Sequence, residues 1–373
     1  MSANLNVIYI AGISISLFIA ALLLNKKNKS RSDVFLTIWM LVLAFHLFLY
    51  EVNFSGSLHK MPHLLGIEIP LPLIHGVFLY GYVSSITNQF PKRPWMMFLH
   101  FLPISVGYGY LIPFFLSSRE EKVAFFEEGF GGYEAFMNVG LVLIFLSGIV
   151  YVVWCIKLLH RHKQAIQQQF SDIEEVSLSW LQFLTYGLGV IWSIVIFTNN
   201  DAYIFSGVTV FAILIGFFGV QQRTIFVSPK QVVVPSQEGT VKASNEKKKY
   251  AGSGLKDELA DEIYQKLMRL FHDEAAYKRN ELSLNELALD LDVHPNYLSQ
   301  IINEREGKNF YDFVNSFRLE AFKKSIKDQK HKQLTLLGLA YECGFNSKSS
   351  FNRYCKKETG QTPSVLVTSL EQE

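Results

Sequence analysis

The sequence predicts an all-α protein in two parts. A seven-helix transmembrane bundle comes first, and a water-soluble domain using one helical unit twice follows. Three observations predict this. Of the 373 residues, 49% are hydrophobic and 18% are charged, against roughly 25% charged in soluble proteins. Charge is also unevenly placed: residues 1–227 hold 13 Lys/Arg and 12 Asp/Glu, and residues 228–373 hold 22 and 21. The second part then repeats one apolar spacing 52 residues later. This balance excludes a disordered chain, a fibrous repeat and a small disulfide scaffold. The net charge of +2 says little about partners. The three cysteines, Cys155, Cys343 and Cys355, lack metal-site spacing and fit a reducing compartment.

The membrane part is residues 1–227. A bilayer core of ~30 Å needs about 20 apolar residues in a helix, the form that satisfies its own backbone in lipid. Seven stretches qualify: 5–24, 33–51, 64–86, 95–117, 136–158, 178–199 and 202–221. The third carries Pro70 and Pro72 and the fourth Pro103 and Pro113, which are tolerable as kinks. The first stretch resembles a secretory signal, but its cationic cluster (Lys26, Lys27, Lys29, Arg31) follows the apolar run. That order predicts a retained helix with its amino end outside. The odd-numbered loops together carry nine Lys/Arg and the even-numbered loops three. Cationic loops face the cytoplasm, so seven crossings deliver everything after Arg223 to the inside. The predicted location is a bacterial inner membrane, multi-pass, with a cytoplasmic tail. The outer loop 118–135, rich in Glu and Gly, reads as a solvated acidic loop or part of a ligand lid.

Residues 228–255 (SPKQVVVPSQEGTVKASNEKKKYAGSGL) lack helical periodicity and read as a flexible linker. Such a coil spans on the order of 30 Å. The soluble domain, 256–373, opens with an amphipathic helix at 256–274 on Leu259, Ile263, Leu267 and Leu270.

Two units follow. Leu284, Leu287, Ala288 and Leu291 occupy i, i+3, i+4 and i+7, as do Leu336, Leu339, Ala340 and Cys343. Ser283 and Glu286 form a capping box before the first run, and Thr335 caps the second. Each run meets a turn, Asp292-Val293-His294 or Gly344-Phe345-Asn346, with Gly344 suited to a left-handed position. A second helix follows each turn, at 295–304 behind Pro295 and at 347–358 behind Ser347. Two short helices joined by a tight turn describe a helix-turn-helix. Two copies joined by a long helix, 309–328, make a bipartite reader able to enter successive major grooves of double-stranded DNA.

The segment ALAYECGFNSKSSFNRYCKKETGQTP resembles the AraC/XylS family of transcription regulators. The resemblance rests on Ala340, Gly344, Phe345, Ser347, Ser350, Phe351, Arg353, Lys356, Lys357, Gly360, Thr362 and Pro363. The stretch LSLNELALDLDVHPNYLSQIINEREGKNFYDFVNSFRLEAFKKSI fits its first half, so about residues 256–370 are covered. His294 stands where the family usually has a Ser or Thr cap, Cys355 replaces a Phe, and Leu366-Val367 replaces an aromatic-Arg pair. The last departure removes a phosphate contact that the resemblance would imply.

Candidate DNA-contacting residues are Asn296, Tyr297 and Gln300 on the first reader helix. On the second they are Ser347, Lys348, Ser349, Asn352, Arg353 and Lys356. Gln and Asn can grip adenine through two hydrogen bonds, and Arg can grip guanine or a phosphate. The domain is near neutral, but residues 305–357 hold 12 Lys/Arg against 5 Asp/Glu, as a cationic face requires.

His46, His75 and His100 fall inside spans, where ionisable groups are functional candidates. They read as packing or polar-pocket residues rather than metal or haem ligands. Metalloprotease, phosphate-loop, nucleophile-elbow and kinase-like histidine motifs are not found, so no enzyme activity, metal or cofactor is expected. The leading function is a membrane-anchored one-component transcription regulator. Its expected partners are DNA, the bilayer, a small-molecule or envelope signal, a second copy of the chain and RNA polymerase. The alternative is a transporter or membrane enzyme with a regulatory helix-turn-helix tail.

Overall fold

The computed structural model describes residues 2–128, 131–173, 177–198, 200–221, 257–329 and 334–372. The linker expected at 228–255 lies outside them. Every regular element among the described residues is helical, with a single isolated β-bridge between Phe170 and Ser283. The chain packs as two compact units: Met1–Arg161 with Leu178–Val233, and His162–Ser177 with Val234–Glu373.

The first unit contains α1 (Ser2–Leu24), α2 (Arg31–Phe54), α3 (Pro72–Ile86), α4 (Met96–Leu99), α5 (Leu102–Tyr110), α6 (Ile112–Leu116) and α7 (Arg119–Glu127). The long α8 (Glu134–Gln167), whose end from His162 on belongs to the second unit, α9 (Ser179–Phe197) and α10 (Asp201–Gln221) follow. Among the described residues, five helices (α1, α2, α8, α9 and α10) are long and apolar enough to cross a membrane. Their outward faces are apolar as well: Val139, Val142, Leu146, Ile149 and Val150 of α8 are all exposed. A solvated helix would carry polar groups there. The third and fourth expected spans take another form. Proline lacks an N–H and clashes with the preceding turn, so Pro70 and Pro72 delay α3, leaving a helix of 15 residues. The fourth is cut into α4, α5 and α6, with Pro103 and Pro113 in the opening positions of the last two.

The core of this unit joins Trp39, Met40 and Leu43 of α2 to Val77 and Val83 of α3, Leu181 and Leu184 of α9 and Ile215 of α10. Asp33, almost fully buried at the start of α2, is neutralised by Lys26 at 2.8 Å and completes a capping box with Ser30. The stretch read as a loop at 118–135 holds α7. Ser118 and Glu121 form a capping box at its start, and Val123, Phe125 and Phe126 pack on a small cluster around Leu111 and Phe114.

The second unit contains α11 (Asp257–His272), α12 (Leu284–Asp290), α13 (Pro295–Glu306), α14 (Phe310–Lys327), α15 (Leu336–Glu342), α16 (Lys348–Thr359) and α17 (Pro363–Gln372). Ile263, Leu267 and Phe271 of α11 pack with Leu287 of α12, Ile301 of α13 and Phe313 of α14. The far half of α14 supplies Phe322, whose ring centroid lies 4.8 Å from that of Phe351 in α16. Leu366 and Val367 of α17 are buried, so the departure at these positions is an apolar anchor.

Candidate nucleic-acid interface

The same turn is built twice, 52 residues apart. After α12, the Val293 N–H donates to the Ala288 carbonyl at 2.9 Å and the Asp292 N–H to that of Leu289 at 3.1 Å. After α15, Phe345 donates to Ala340 at 3.1 Å and Gly344 to Tyr341 at 2.9 Å. Both are Schellman turns, which need a left-handed residue past the helix end. Asp292, φ +52°, and Gly344, φ +96°, supply it. Asp is among the few side chains that tolerate this conformation. Gly344 cannot be replaced as easily, because a Cβ there would lie 2.7 Å from the Tyr277 carbonyl oxygen.

The two helices that leave these turns are each 12 residues long. His294 caps α13 through Nδ1, which accepts the Asn296 N–H at 3.2 Å. It therefore does the work of a Ser or Thr cap hydroxyl. Ser347 caps α16 by accepting the Ser350 N–H at 3.0 Å. Left-handed Gly307 and Gly360 end the two helices.

On α16, Phe351, Tyr354 and Cys355 point into the core, and Lys348, Ser349, Asn352, Arg353 and Lys356 are exposed. Ser347 is half-buried and faces its own helix start. Lys348, Arg353 and Lys356 form no ion pair among the described residues, whereas the neighbouring Lys357 is held by Asp312 at 2.5 Å. Three unneutralised cations therefore share a face with two polar side chains that present both donors and acceptors.

On α13, Asn296 and Tyr297 are exposed as expected. Gln300 is not: it is buried, and its Nε2 donates to Glu304 at 3.0 Å. A second correction concerns Arg318, counted above with the cationic stretch. It lies 1% exposed inside the domain. Its Nε donates to the Tyr277 carbonyl at 2.8 Å and one terminal nitrogen to that of Arg279 at 3.0 Å. Burial pushes its guanidinium down to about 10, still charged at neutral pH.

A segment from far upstream completes this domain. Phe170 lies antiparallel to Ser283. The Ser171 N–H donates to the Leu282 carbonyl at 3.1 Å, and the Leu284 N–H to that of Gln169 at 2.9 Å. Asn315 Nδ2 donates to the Ser171 carbonyl at 2.8 Å. Gln168 Oε1 accepts from Ser299 of α13 at 3.2 Å. Ser171 and Ile173 are buried. Residues 168–173 thus form a strap across the start of α12, α13 and α14. No local pattern signals it, because its partners lie more than a hundred residues on.

With the helix pairs and their exposed faces in place, the comparisons agree on this part of the chain. Residues 287–368 match a helix-turn-helix domain family. The carboxyl-terminal part is also similar to two proteins of Bacillus subtilis (strain 168). It is 28% identical over 116 residues to "Uncharacterized HTH-type transcriptional regulator YobQ", covering 30% of this chain and 47% of that one. It is 29% identical over 101 residues to "Uncharacterized HTH-type transcriptional regulator YtdP", covering 27% and 12%. The chain therefore spans at most about half the length of these relatives. No solved structure matches it. The helix-turn-helix domain implies DNA binding by the carboxyl-terminal part.

Proposed function

We propose that the chain is a membrane-anchored one-component transcription regulator of the bacterial inner membrane. Its helical first unit receives a signal, and its cytoplasmic tail binds promoter DNA as a dimer and engages RNA polymerase. The observation that carries the DNA-binding reading is the face of α16. Lys348, Ser349, Asn352, Arg353 and Lys356 lie exposed on the second helix of a matched helix-turn-helix, where a recognition helix meets base edges and phosphates. Asn296 and Tyr297 form the corresponding face of α13. Ser347 orders α16, and Gln300 supports its helix from within.

The matching turns after α12 and α15 support two readers on one domain. Five long apolar helices support the anchor. The strap suggests how the two functions connect: residues 168–173 belong to the segment between α8 and α9, yet pack in the helix-turn-helix core. Positive-inside counting puts this segment and the tail on the same side of the membrane. In this reading the covalent link from α8 and α9 through this segment carries the signal to α12, α13 and α14. A signal shifts such an equilibrium only by its differential affinity for the two states.

The test is to map the full-length protein on the chromosome, wild type against Asn352→Ala/Arg353→Ala. Loss of occupancy at discrete promoters, with protein level unchanged, is expected. Unchanged occupancy would overturn the assignment of α16.

A further inference from the structure

The first unit holds a half-open cavity of about 670 Å³, with Asp201 exposed on its wall, within the ~300–1,000 Å³ range of small-molecule sites. Its wall is mostly apolar, with Leu43, Leu188, Trp192 and Phe205 among the lining residues. A few polar groups interrupt it: His46, His75, Glu68 and Asp201. Glu68 and Asp201 are its carboxyl groups, and neither Lys nor Arg lines it among the described residues.

The histidines are ordered by hydrogen bonds of fixed direction. Trp39 Nε1, which can only donate, lies 3.2 Å from His75 Nδ1. That nitrogen must accept, so His75 is neutral and carries its proton on Nε2. His75 Nε2 lies 2.8 Å from His46 Nδ1, which accepts in turn. His46 is therefore neutral too, with its proton on Nε2, and no protein acceptor engages that N–H among the described residues. The histidines thus bring no positive charge to balance the carboxylates. Glu68 Oε2 is buried and meets no hydrogen-bond partner among the described residues. An unpartnered carboxylate oxygen in an apolar enclosure is costly, and a bound cation would remove that cost.

We propose that this cavity binds a small amphipathic amine, its apolar body against Trp192 and Phe205 and its ammonium group against Glu68 and Asp201. The proposal rests on the reading of the first unit as a receiver of signals, and adds the ligand's chemistry. The ammonium can come from a solute or from an amine-headed lipid.

The test uses the full chain in phosphatidylglycerol nanodiscs. 4-Phenylbutylamine, 4-phenylbutanol and 4-phenylbutyrate share one body and differ in the head. Binding is read by tryptophan fluorescence, since Trp39 and Trp192 line the cavity. The amine should bind at least 10-fold tighter than the other two. Glu68→Gln/Asp201→Asn should abolish that preference, bringing the amine to the affinity of the alcohol. Equal affinities, or a preference that survives the double variant, would overturn the proposal. If the double variant misfolds, Leu188→Trp, which narrows the cavity beside Trp192, must weaken amine binding at least 10-fold instead. Adding phosphatidylethanolamine to the disc distinguishes the sources: competition points to a lipid headgroup, and none points to a solute. DNA binding is measured separately. Amine binding without any change in DNA binding would sustain the site and count against the sensor reading.

Discussion

Gly344 and Gly360 both adopt positive φ, +96° and +73°, but only Gly344 faces backbone atoms. At Gly360 an added methyl meets open space, so Gly360→Ala costs only the left-handed conformation, about 1–2 kcal/mol. Gly344→Ala adds a contact of 2.7 Å with the Tyr277 carbonyl, raising the cost to about 3 kcal/mol. Thermal unfolding of the domain should fall by roughly 10 °C for Gly344→Ala and by about half of that for Gly360→Ala. Equal shifts would show that the approach of α15 to the Ala276–Lys278 turn is looser than described. Arg318 illustrates the same dependence on buried partners. Arg318→Met leaves the Tyr277 and Arg279 carbonyls without this donor. The expected loss is about 3 kcal/mol, with DNA affinity of the remaining folded fraction unaltered because the side chain is no part of the exposed face.

At the scale of elements, α16 separates positioning from specificity. Each phosphate contact removed lowers the slope of log affinity against log salt by about 0.9. A base contact costs about 1–3 kcal/mol at one position of the target and leaves the slope unchanged. Lys348→Ala and Lys356→Ala should change the slope, and Asn352→Ala the sequence preference. Arg353→Ala is sorted by whichever quantity moves. This helix was legible in the sequence because its boundaries rest on local chemistry: a Ser cap, three inward aromatic or sulfur side chains and a terminal Gly. The α7 helix carried an equally local signal, the Ser118–Glu121 capping box, hidden by the surrounding acidic and glycine-rich composition. Gln300 and Arg318 could not be placed from the sequence. Polar residues at such spacing are exposed by default, and only tertiary partners reverse that. The strap was illegible for a stronger reason: a pairing between Phe170 and Ser283 leaves no periodic trace in either segment. It makes its own prediction. A fragment of residues 257–373 lacks the donors and acceptors of Gln169 and Ser171. Adding a peptide of residues 162–177 should raise its unfolding temperature, and a peptide with Ser171→Pro, which removes the N–H donated to Leu282, should raise it less.

For the whole molecule, the decisive quantity is how many times the chain crosses the bilayer. Five helices among the described residues meet the length and hydropathy needed. α3 has 15 residues, about 22 Å at 1.5 Å per residue, short of a core of ~30 Å. The α4–α6 stretch is broken at its prolines. If both act as spans, in part through the non-helical turns beside them, there are seven crossings. If neither does, there are five. Both counts are odd, so an external amino end delivers the tail to the cytoplasm either way, and the tail alone cannot distinguish them. The loop between α3 and α4 can. With seven crossings Lys92 and Arg93 face the cytoplasm, as the cationic bias favours. With five they stay outside, together with α7. The three native cysteines are buried, so a Lys92→Cys variant supplies the reactive thiol. A membrane-impermeant maleimide should label it only after the membrane is opened. Labelling in intact spheroplasts, with a carboxyl-terminal tag still protected, would reduce the count to five and turn α3–α6 into an external cap on the bundle.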